Sequence, residues 1–109
     1  TKAGPSSIAE GLVCGLPLVL FDFVPGQEEG NVGYVLDSGA GFFAPTPHRA
    51  REAVEHLLSD PLLRQRMIAA ARATARPEAA LEAARRIVEL LSALFEVSYA
   101  ERKFSAASR

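Results

Sequence analysis

A short run of apolar residues, Leu18-Val19-Leu20-Phe21, constrains the fold of this chain more than any other feature. It shows no alternation of polar and apolar residues, which is typical of a strand covered on both faces in a parallel sheet. Pro17 precedes the run and prevents continuation of a preceding helix, and Pro25-Gly26 marks a loop after it. The run therefore predicts an α/β fold.

Helix signals lie on both sides of this strand. Ser7 and Glu10 have the spacing of a capping box, which predicts a helix over about residues 8–14. Gly15 then fits the left-handed position that ends a helix. Further patterns predict a helix over residues 28–38, a short strand over 41–44, and two helices that begin after Thr46 and Asp60, each of which is followed by proline.

A long amphipathic helix is predicted after Pro77. Its apolar residues recur at spacings of three and four from Leu81 to Phe95, and this stripe needs a partner surface. Residues 98–109 lose the periodicity, which predicts an irregular tail. The expected organisation is one domain over residues 1–97, followed by the tail.

Composition bounds the class of protein. A chain of 109 residues that is 49% hydrophobic, with a net charge of −1, suits a single globular unit with a modest core. Acidic residues predominate in residues 1–60 and basic residues in 61–109. The basic half can face anionic lipid or phosphate, or its helices can simply be solvated, and no nucleic-acid partner is expected.

Cysteine and histidine are scarce in this chain. The single Cys14 excludes an internal disulfide, and with only His48 and His56 a Cys/His zinc site is not expected. Cys14 is predicted to be a small buried side chain. The apolar run is far too short to span a bilayer and no signal peptide opens the chain, which predicts a cytoplasmic protein, soluble or peripheral at the inner face of a membrane. Because residues 1–4 enter a loop at once, we expect a fragment of a larger protein.

The segment from Gly4 to Ser7 has the features of an anion-binding turn. Backbone N–H groups at a helix start lack intrahelical partners, and the helix dipole adds partial positive charge there. Gly4 allows close approach of a phosphate, and the hydroxyl groups of Ser6 and Ser7 add donors. Glu10, one turn further on, either accepts hydrogen bonds from ribose hydroxyls or only completes the capping box.

A second polar loop follows the predicted strand and carries Gln27, Glu28 and Asn31. Ligands of open α/β sheets bind at the carboxyl ends of strands, which is where this loop lies. Its side chains offer paired donors and acceptors suited to sugar hydroxyls. The alternative is a turn followed by an acidic first helical turn.

These motifs, in this order, resemble the C-terminal, donor-binding domain of GT-B glycosyltransferases of the family 28 type. That family contains the monogalactosyldiacylglycerol synthases, the bacterial processive diacylglycerol glucosyltransferases and, more distantly, the transferase that makes lipid II. The resemblance covers about forty residues, and the helices after Gly41 carry no diagnostic motif. It lies in Lys2-Ala3-Gly4-Pro5, Ile8-Ala9-Glu10, Gly15-Leu16-Pro17 and Pro25-Gly26-Gln27-Glu28 with Gly30-Asn31.

The resemblance implies an incomplete Rossmann-like parallel sheet with flanking helices and a site for a UDP-sugar donor. Glu10 takes the ribose hydroxyls, Gln27 and Glu28 hold the hexose hydroxyls, and Asn31 serves either the sugar or the loop. The family does not depend on an Asp-x-Asp metal motif, and none occurs here, so no metal or other cofactor is expected and the UDP-sugar is a substrate. The diphosphate is contacted by Gly4, Pro5, Ser6, Ser7 and Ile8.

The implied reaction is inverting transfer of a hexose from UDP to a lipid hydroxyl, with diacylglycerol as the acceptor, in peripheral contact with a membrane. The family's other domain supplies the acceptor site and the general base, so no catalytic residue is assigned to this chain and the chain alone is expected to be inactive. Two alternatives stay open. One is a non-catalytic module that self-associates through the stripe from Leu81 to Phe95, and the other is a different nucleotide-sugar enzyme of similar fold, such as an epimerase.

Overall fold

Parallel strands organise the first part of the chain. The computed structural model describes residues 1–108. Strand β1 (Leu18–Leu20) pairs in parallel with β2 (Gly41–Phe43), with Leu18 opposite Gly41 and Leu20 opposite Phe43. Leu18 and Leu20 are buried and cover one face of β1, whereas Val19 on the other face is half-buried and Phe21, just after the strand, is exposed, so the expectation of a strand buried on both faces is met on one face only. The predicted strand and its parallel pairing are therefore confirmed.

The first three residues of the chain lie along the other edge of β1. The Phe21 N–H group donates to the Thr1 carbonyl at 3.0 Å, and the Ala3 N–H group donates to the Asp22 carbonyl at 2.7 Å. The bridge formed in this segment is parallel. Residues 1–3 were expected to enter a loop, but their backbone pairs as a strand does, so β1 has a parallel neighbour on each side.

Helices make up most of the remaining chain, and every predicted helix is present. With two parallel strands and flanking helices, the α/β class is confirmed, while the incomplete Rossmann-like sheet stays a prediction. The helices are α1 (Pro5–Val13), α2 (Glu29–Ser38), α3 (Pro47–Ser59), α4 (Pro61–Thr74) and α5 (Ala79–Ala107).

The core joins one face of the sheet to three helices. Leu20 and Val35 are its largest fully buried side chains, and burial of a side chain of this size contributes about 1.5–3 kcal/mol. Side chains from α1, α2 and α4 meet β1 in this cluster, so the sheet and the helices that frame its loops form one packed unit. The members are Ala3, Ile8, Leu12, Leu18, Leu20, Val35, Ala40 and Ala71.

Gly41 allows close packing in this core. A Cβ atom added to Gly41 would lie 2.5 Å from Cγ1 of Val35 and 2.6 Å from the Leu18 carbonyl oxygen. Real Cβ atoms do not approach other heavy atoms so closely. The absence of a side chain at Gly41 is therefore what allows α2 and β1 to close on β2.

The start of α1 differs from the sequence prediction. Gly4 is the N-cap residue, no side chain caps the helix, and Pro5 occupies its first turn. The predicted capping box of Ser7 and Glu10 is wrong, because the helix begins earlier and Ser7 already lies within its first turn. Proline is favoured at a first helical position, since its fixed φ angle suits the helix and its missing N–H group loses no bond.

The end of α1 follows the prediction at Gly15, which has a left-handed φ of 67°. The Gly15 N–H group donates to the Leu12 carbonyl at 3.0 Å, and the Leu16 N–H group donates to the Gly11 carbonyl at 2.9 Å. These two bonds form a Schellman motif. Cys14 was expected to be buried, and that prediction is wrong: it caps the exposed end of α1, and its side chain faces solvent.

Two further helix starts are confirmed. The Thr46 hydroxyl accepts a hydrogen bond from the Arg49 N–H group at 3.3 Å, and the Asp60 carboxylate accepts one from the Leu63 N–H group at 2.9 Å. Both caps are followed by proline at the start of the helix. The paired signal of a capping side chain and a following proline therefore placed α3 and α4 correctly.

The chain divides into two compact units, Thr1–Arg76 and Pro77–Arg109. Helix α5 continues through residues 98–107, where the sequence predicted an irregular tail. Extending an existing helix costs far less than starting one, and neither glycine nor proline interrupts residues 98–107, so loss of apolar periodicity does not end the helix. Among the described residues, no helix combines the length and the apolar character needed to cross a membrane.

Candidate functional site

The two polar loops predicted from the sequence leave the same edge of the sheet. Gly4 directly follows residues 1–3, and residues 21–28 directly follow β1. Because these two stretches run in parallel side by side, their carboxyl ends are neighbours. This is the edge at which open α/β sheets bind ligands.

A charged pair joins the two loops. The Lys2 ammonium donates a hydrogen bond to Oε1 of Glu28 at 2.9 Å. The other carboxylate oxygen, Oε2, accepts a hydrogen bond from the Val24 N–H group at 2.8 Å. The Glu28 side chain is 10% exposed and that of Lys2 is 47% exposed, so the carboxylate is covered while the ammonium borders solvent.

The electrostatics of Glu28 follow from these two contacts. The hydrogen bond from Lys2, followed in importance by the one from the Val24 N–H group, lowers the pKa of Glu28 below its ordinary value of 4.5. Burial acts in the opposite direction and raises the pKa, but it is outweighed. Glu28 is therefore ionised at neutral pH.

The charged pair lies beside the start of α1. A Cβ atom added to Gly4 would lie 3.8 Å from Oε1 of Glu28 and 4.0 Å from Cε of Lys2. Gly4 is the N-cap residue of α1, whose N–H groups carry the positive end of the helix dipole. The Lys2 ammonium and the start of α1 are therefore neighbouring sources of positive charge, and the Glu28 carboxylate beside them carries the opposite charge.

Asn31 forms a second link between the loops. Its Nδ2 atom donates a hydrogen bond to the Ala3 carbonyl at 3.0 Å. Ala3 is fully buried and pairs with the backbone beyond β1, so Asn31 is anchored to the rigid part of the sheet. Of the two roles foreseen for Asn31, this contact supports holding the loop.

The start of α1 has fewer groups free to bind an anion than the sequence predicted. The Ile8 N–H group donates to the Gly4 carbonyl at 3.1 Å, and the Ile8 side chain is buried in the core. Pro5 has no N–H group. The N–H groups of Ser6 and Ser7 precede the first intrahelical bond and both residues are exposed, which leaves them to face an anion.

Glu10 and Gln27 are both exposed, so their side chains are accessible to a ligand. Glu10 lies on α1 past the residues of the anion-binding turn. Gln27 lies in the loop after β1, where its N–H group donates to the Val24 carbonyl at 3.2 Å. Glu28 is different from both, because its two carboxylate oxygens are engaged by Lys2 and Val24.

Comparison with known proteins identifies relatives of this chain. The chain is 53% identical over 60 residues to monogalactosyldiacylglycerol synthase 3, chloroplastic, of Arabidopsis thaliana, a match to 55% of this chain. Over 93 residues, 83% of the chain, it is 47% identical to a probable synthase 3 of Oryza sativa subsp. japonica and 43% identical to synthase 2 of Arabidopsis thaliana. The chain is homologous to part of the monogalactosyldiacylglycerol synthases. No family model matches it.

The match covers a small part of these monogalactosyldiacylglycerol synthases. It amounts to 13% of the first relative, 18% of the second and 19% of the third. The named relatives are glycosyltransferases, as the motifs in residues 2–41 indicated. The resemblance inferred from those motifs is confirmed.

The predicted cytoplasmic location is wrong. All three of these monogalactosyldiacylglycerol synthases are described as chloroplastic. The prediction rested on the absence of a signal peptide at the first residue, and a segment that matches less than a fifth of each relative carries no information on targeting.

Two residues of the site were missed in the sequence, Lys2 and Val24. Lys2 lies in one of the segments that carry the resemblance, but nothing in its spacing pairs it with an acid 26 residues away. Val24 contributes a backbone N–H group, which any residue other than proline supplies. Only a general signal for such contacts was available. An acidic side chain that follows a buried parallel strand needs a charged or hydrogen-bonding partner if it is itself buried.

Proposed function

We propose that this chain is the donor-binding segment of an enzyme that transfers galactose from UDP-galactose to diacylglycerol. The observation that carries this proposal is the Lys2–Glu28 contact of 2.9 Å, which joins the two polar loops at the ligand-binding edge of the sheet. The names of the relatives support the sugar and the acceptor.

In this proposal the diphosphate lies at the start of α1. Gly4 borders it as the N-cap residue, the N–H and hydroxyl groups of Ser6 and Ser7 donate to it, and Pro5 fixes the direction of the helix. Ile8 contributes through its buried side chain, which packs α1 into the same core cluster as β1. Glu10 accepts hydrogen bonds from the ribose hydroxyls.

The galactose lies against the loop that follows β1. Gln27 is exposed, and its amide offers both donors and acceptors to sugar hydroxyls. Glu28 presents to the sugar only the acceptor capacity that Lys2 and Val24 leave free. Asn31 holds the loop through the Ala3 carbonyl.

The reaction proceeds with inversion and requires no metal ion. As the bond to the sugar breaks, negative charge develops on the departing UDP, and the start of α1 stabilises that charge through its N–H groups and dipole. The acceptor hydroxyl is deprotonated by a general base outside residues 1–109. No residue of this chain is assigned a catalytic role, and the lipid acceptor binds elsewhere in the intact enzyme.

Titration calorimetry of the full-length protein tests the proposal. UDP-galactose is expected to bind more tightly than UDP, and Gln27→Ala is expected to remove most of that difference while binding of UDP is kept. Gln65→Ala is the matched control, because Gln65 is exposed on α4 and belongs to neither loop. Equal affinity of the wild-type protein for UDP-galactose and UDP contradicts the proposal, as does galactosyl transfer by the isolated 109-residue chain.

Self-association of the isolated chain is a second candidate. None of the described residues of α5 is buried, and its large apolar side chains, Leu81, Ile87, Leu91 and Phe95 among them, are exposed. Exposed apolar patches of this kind favour association. Sedimentation of the isolated chain separates a monomer from an oligomer and is independent of the UDP titration.

A further inference from the structure

The loop between β1 and α2 is held in shape by a few bonds around one turn. The Gln27 and Glu28 N–H groups both donate to the Val24 carbonyl, at 3.2 and 2.9 Å, and the Glu28 carboxylate accepts from the Val24 N–H group at 2.8 Å. Gly26 has a left-handed φ of 76°, which turns the chain just before Gln27. The conformation that exposes Gln27 therefore depends on the Glu28 carboxylate.

Lys2 is what keeps that carboxylate in place. A covered carboxylate is costly without a charged or hydrogen-bonding partner, and among the described residues Lys2 forms the only ion pair with Glu28. The backbone on both sides of Lys2 is fixed, because Thr1 and Ala3 are both hydrogen-bonded to the chain at and beyond β1. Lys2 thus connects the sheet to the loop between β1 and α2.

We propose that Lys2 is a positioning residue for the donor sugar: by holding Glu28, it fixes the turn that presents Gln27, and it thereby selects UDP-galactose over UDP. This inference rests on the proposed function. It differs from a direct contact between Lys2 and the donor, because it assigns the effect to the sugar and not to the diphosphate.

The physical reason is preorganisation. A loop that already has its bound conformation loses little conformational entropy when the sugar binds, whereas a loosened loop must be ordered at the expense of affinity. Only a ligand that reaches Gln27 benefits from an ordered turn. UDP, which ends at the start of α1, does not.

The test compares dissociation constants for UDP-galactose and UDP in the full-length protein. Lys2→Met keeps the length of the side chain but removes its charge, and it is expected to weaken binding of UDP-galactose about tenfold while binding of UDP changes less than about twofold. Lys2→Arg is expected to restore most of the affinity for UDP-galactose, because a guanidinium can also pair with a carboxylate. Lys103→Met, the same change on exposed α5, is expected to alter neither constant.

Glu28→Gln provides an independent variant. It removes the charge that Lys2 holds, so its effect and that of Lys2→Met are expected to be non-additive in the double variant. A merely structural role for Lys2 would lower the unfolding temperature of Lys2→Met and leave the ratio of the two dissociation constants unchanged.

Three results separate the possibilities. Unchanged affinity for both ligands in Lys2→Met overturns the inference, and so does an equal loss of affinity for UDP and UDP-galactose, which would place the Lys2 ammonium on the diphosphate. Additive effects of the two substitutions overturn it as well. If the wild-type protein does not distinguish UDP-galactose from UDP, the proposed function itself fails and the inference falls with it.

Discussion

Val24 and Glu28 are joined by two hydrogen bonds, one donated by each residue. The Glu28 N–H group donates to the Val24 carbonyl at 2.9 Å, and the Val24 N–H group donates to the Glu28 carboxylate at 2.8 Å. The reciprocal pair closes the turn, and the same carboxylate reaches across to Lys2. Because one side chain binds both the turn and the ammonium, we expect the shape of the loop between β1 and α2 to depend on the charge state of Glu28.

The stability of the protein should therefore depend on Glu28 at acid pH. The pKa of Glu28 is lowered below 4.5 in the folded protein, so the unfolded chain binds more protons in the interval below 4.5. The stabilisation by Glu28 is complete above pH 4.5 and is lost as the pH falls through the folded pKa. Glu28→Gln should lower the unfolding temperature at pH 7, and its difference from the wild type should shrink below pH 4.5. Thermal unfolding from pH 7 to pH 3 measures this, and a constant difference would contradict it.

Replacing Glu10 by alanine distinguishes a role in ligand binding from a role in helix capping. The structure shows no capping bond from a side chain at the start of α1, so Glu10→Ala should change the free energy of unfolding by less than about 0.5 kcal/mol. If Glu10 accepts the ribose hydroxyls, the same change should weaken binding of UDP by about tenfold or more. Calorimetry with UDP measures the second effect, and Glu55→Ala on exposed α3 is the control. Unchanged affinity for UDP with the fold intact would remove Glu10 from the site.

The fold was predictable where the signals are local and agree. The apolar run at Leu18 gave β1, Gly15 gave the end of α1, and Asp60 with its following proline gave the start of α4. The start of α1 failed because two local signals competed, and proline at Pro5 prevailed over the capping-box pattern at Ser7. No local signal reported that residues 1–3 pair with the backbone beyond β1, since that pairing depends on a neighbouring strand.

The site was predictable only to the level of its loops. The rule that parallel strands end at one edge brought Gly4 and Gln27 to the same region, as observed. The rule does not say which side chains bind other groups of the protein. Glu28 was therefore assigned to the sugar, and Asn31 to either the sugar or the loop, while their partners Lys2 and Ala3 went unforeseen. Such contacts depend on the register of neighbouring strands and on which side chains are buried. The spacing of residues along the sequence reveals neither.

Gly41 should tolerate no side chain. A Cβ atom there meets the Leu18 backbone oxygen at 2.6 Å as well as Val35, and a backbone atom in a strand cannot move aside as a flexible side chain can. Gly41→Ala should therefore lower the free energy of unfolding by about 1–3 kcal/mol or more. Gly33→Ala is the matched control: Gly33 lies inside α2 with nothing within 4 Å, so alanine should stabilise the protein by about 0.5–1 kcal/mol. Urea denaturation measures both, and equal effects of the two substitutions would contradict the packing of α2 on β2.

Asp60 and Ser7 should respond differently to alanine, although both have the sequence pattern of an N-cap. The Asp60 carboxylate accepts a hydrogen bond from the Leu63 N–H group at 2.9 Å, and its removal should cost about 1 kcal/mol of stability. Ser7 lies inside the first turn of α1 and caps nothing, so Ser7→Ala should change the free energy of unfolding by less than about 0.5 kcal/mol. The two variants are compared by urea denaturation in one buffer. A loss at Ser7 as large as that at Asp60 would mean that α1 begins at Ser7 in solution, and the free N–H groups assigned to the diphosphate would then be those of the following residues.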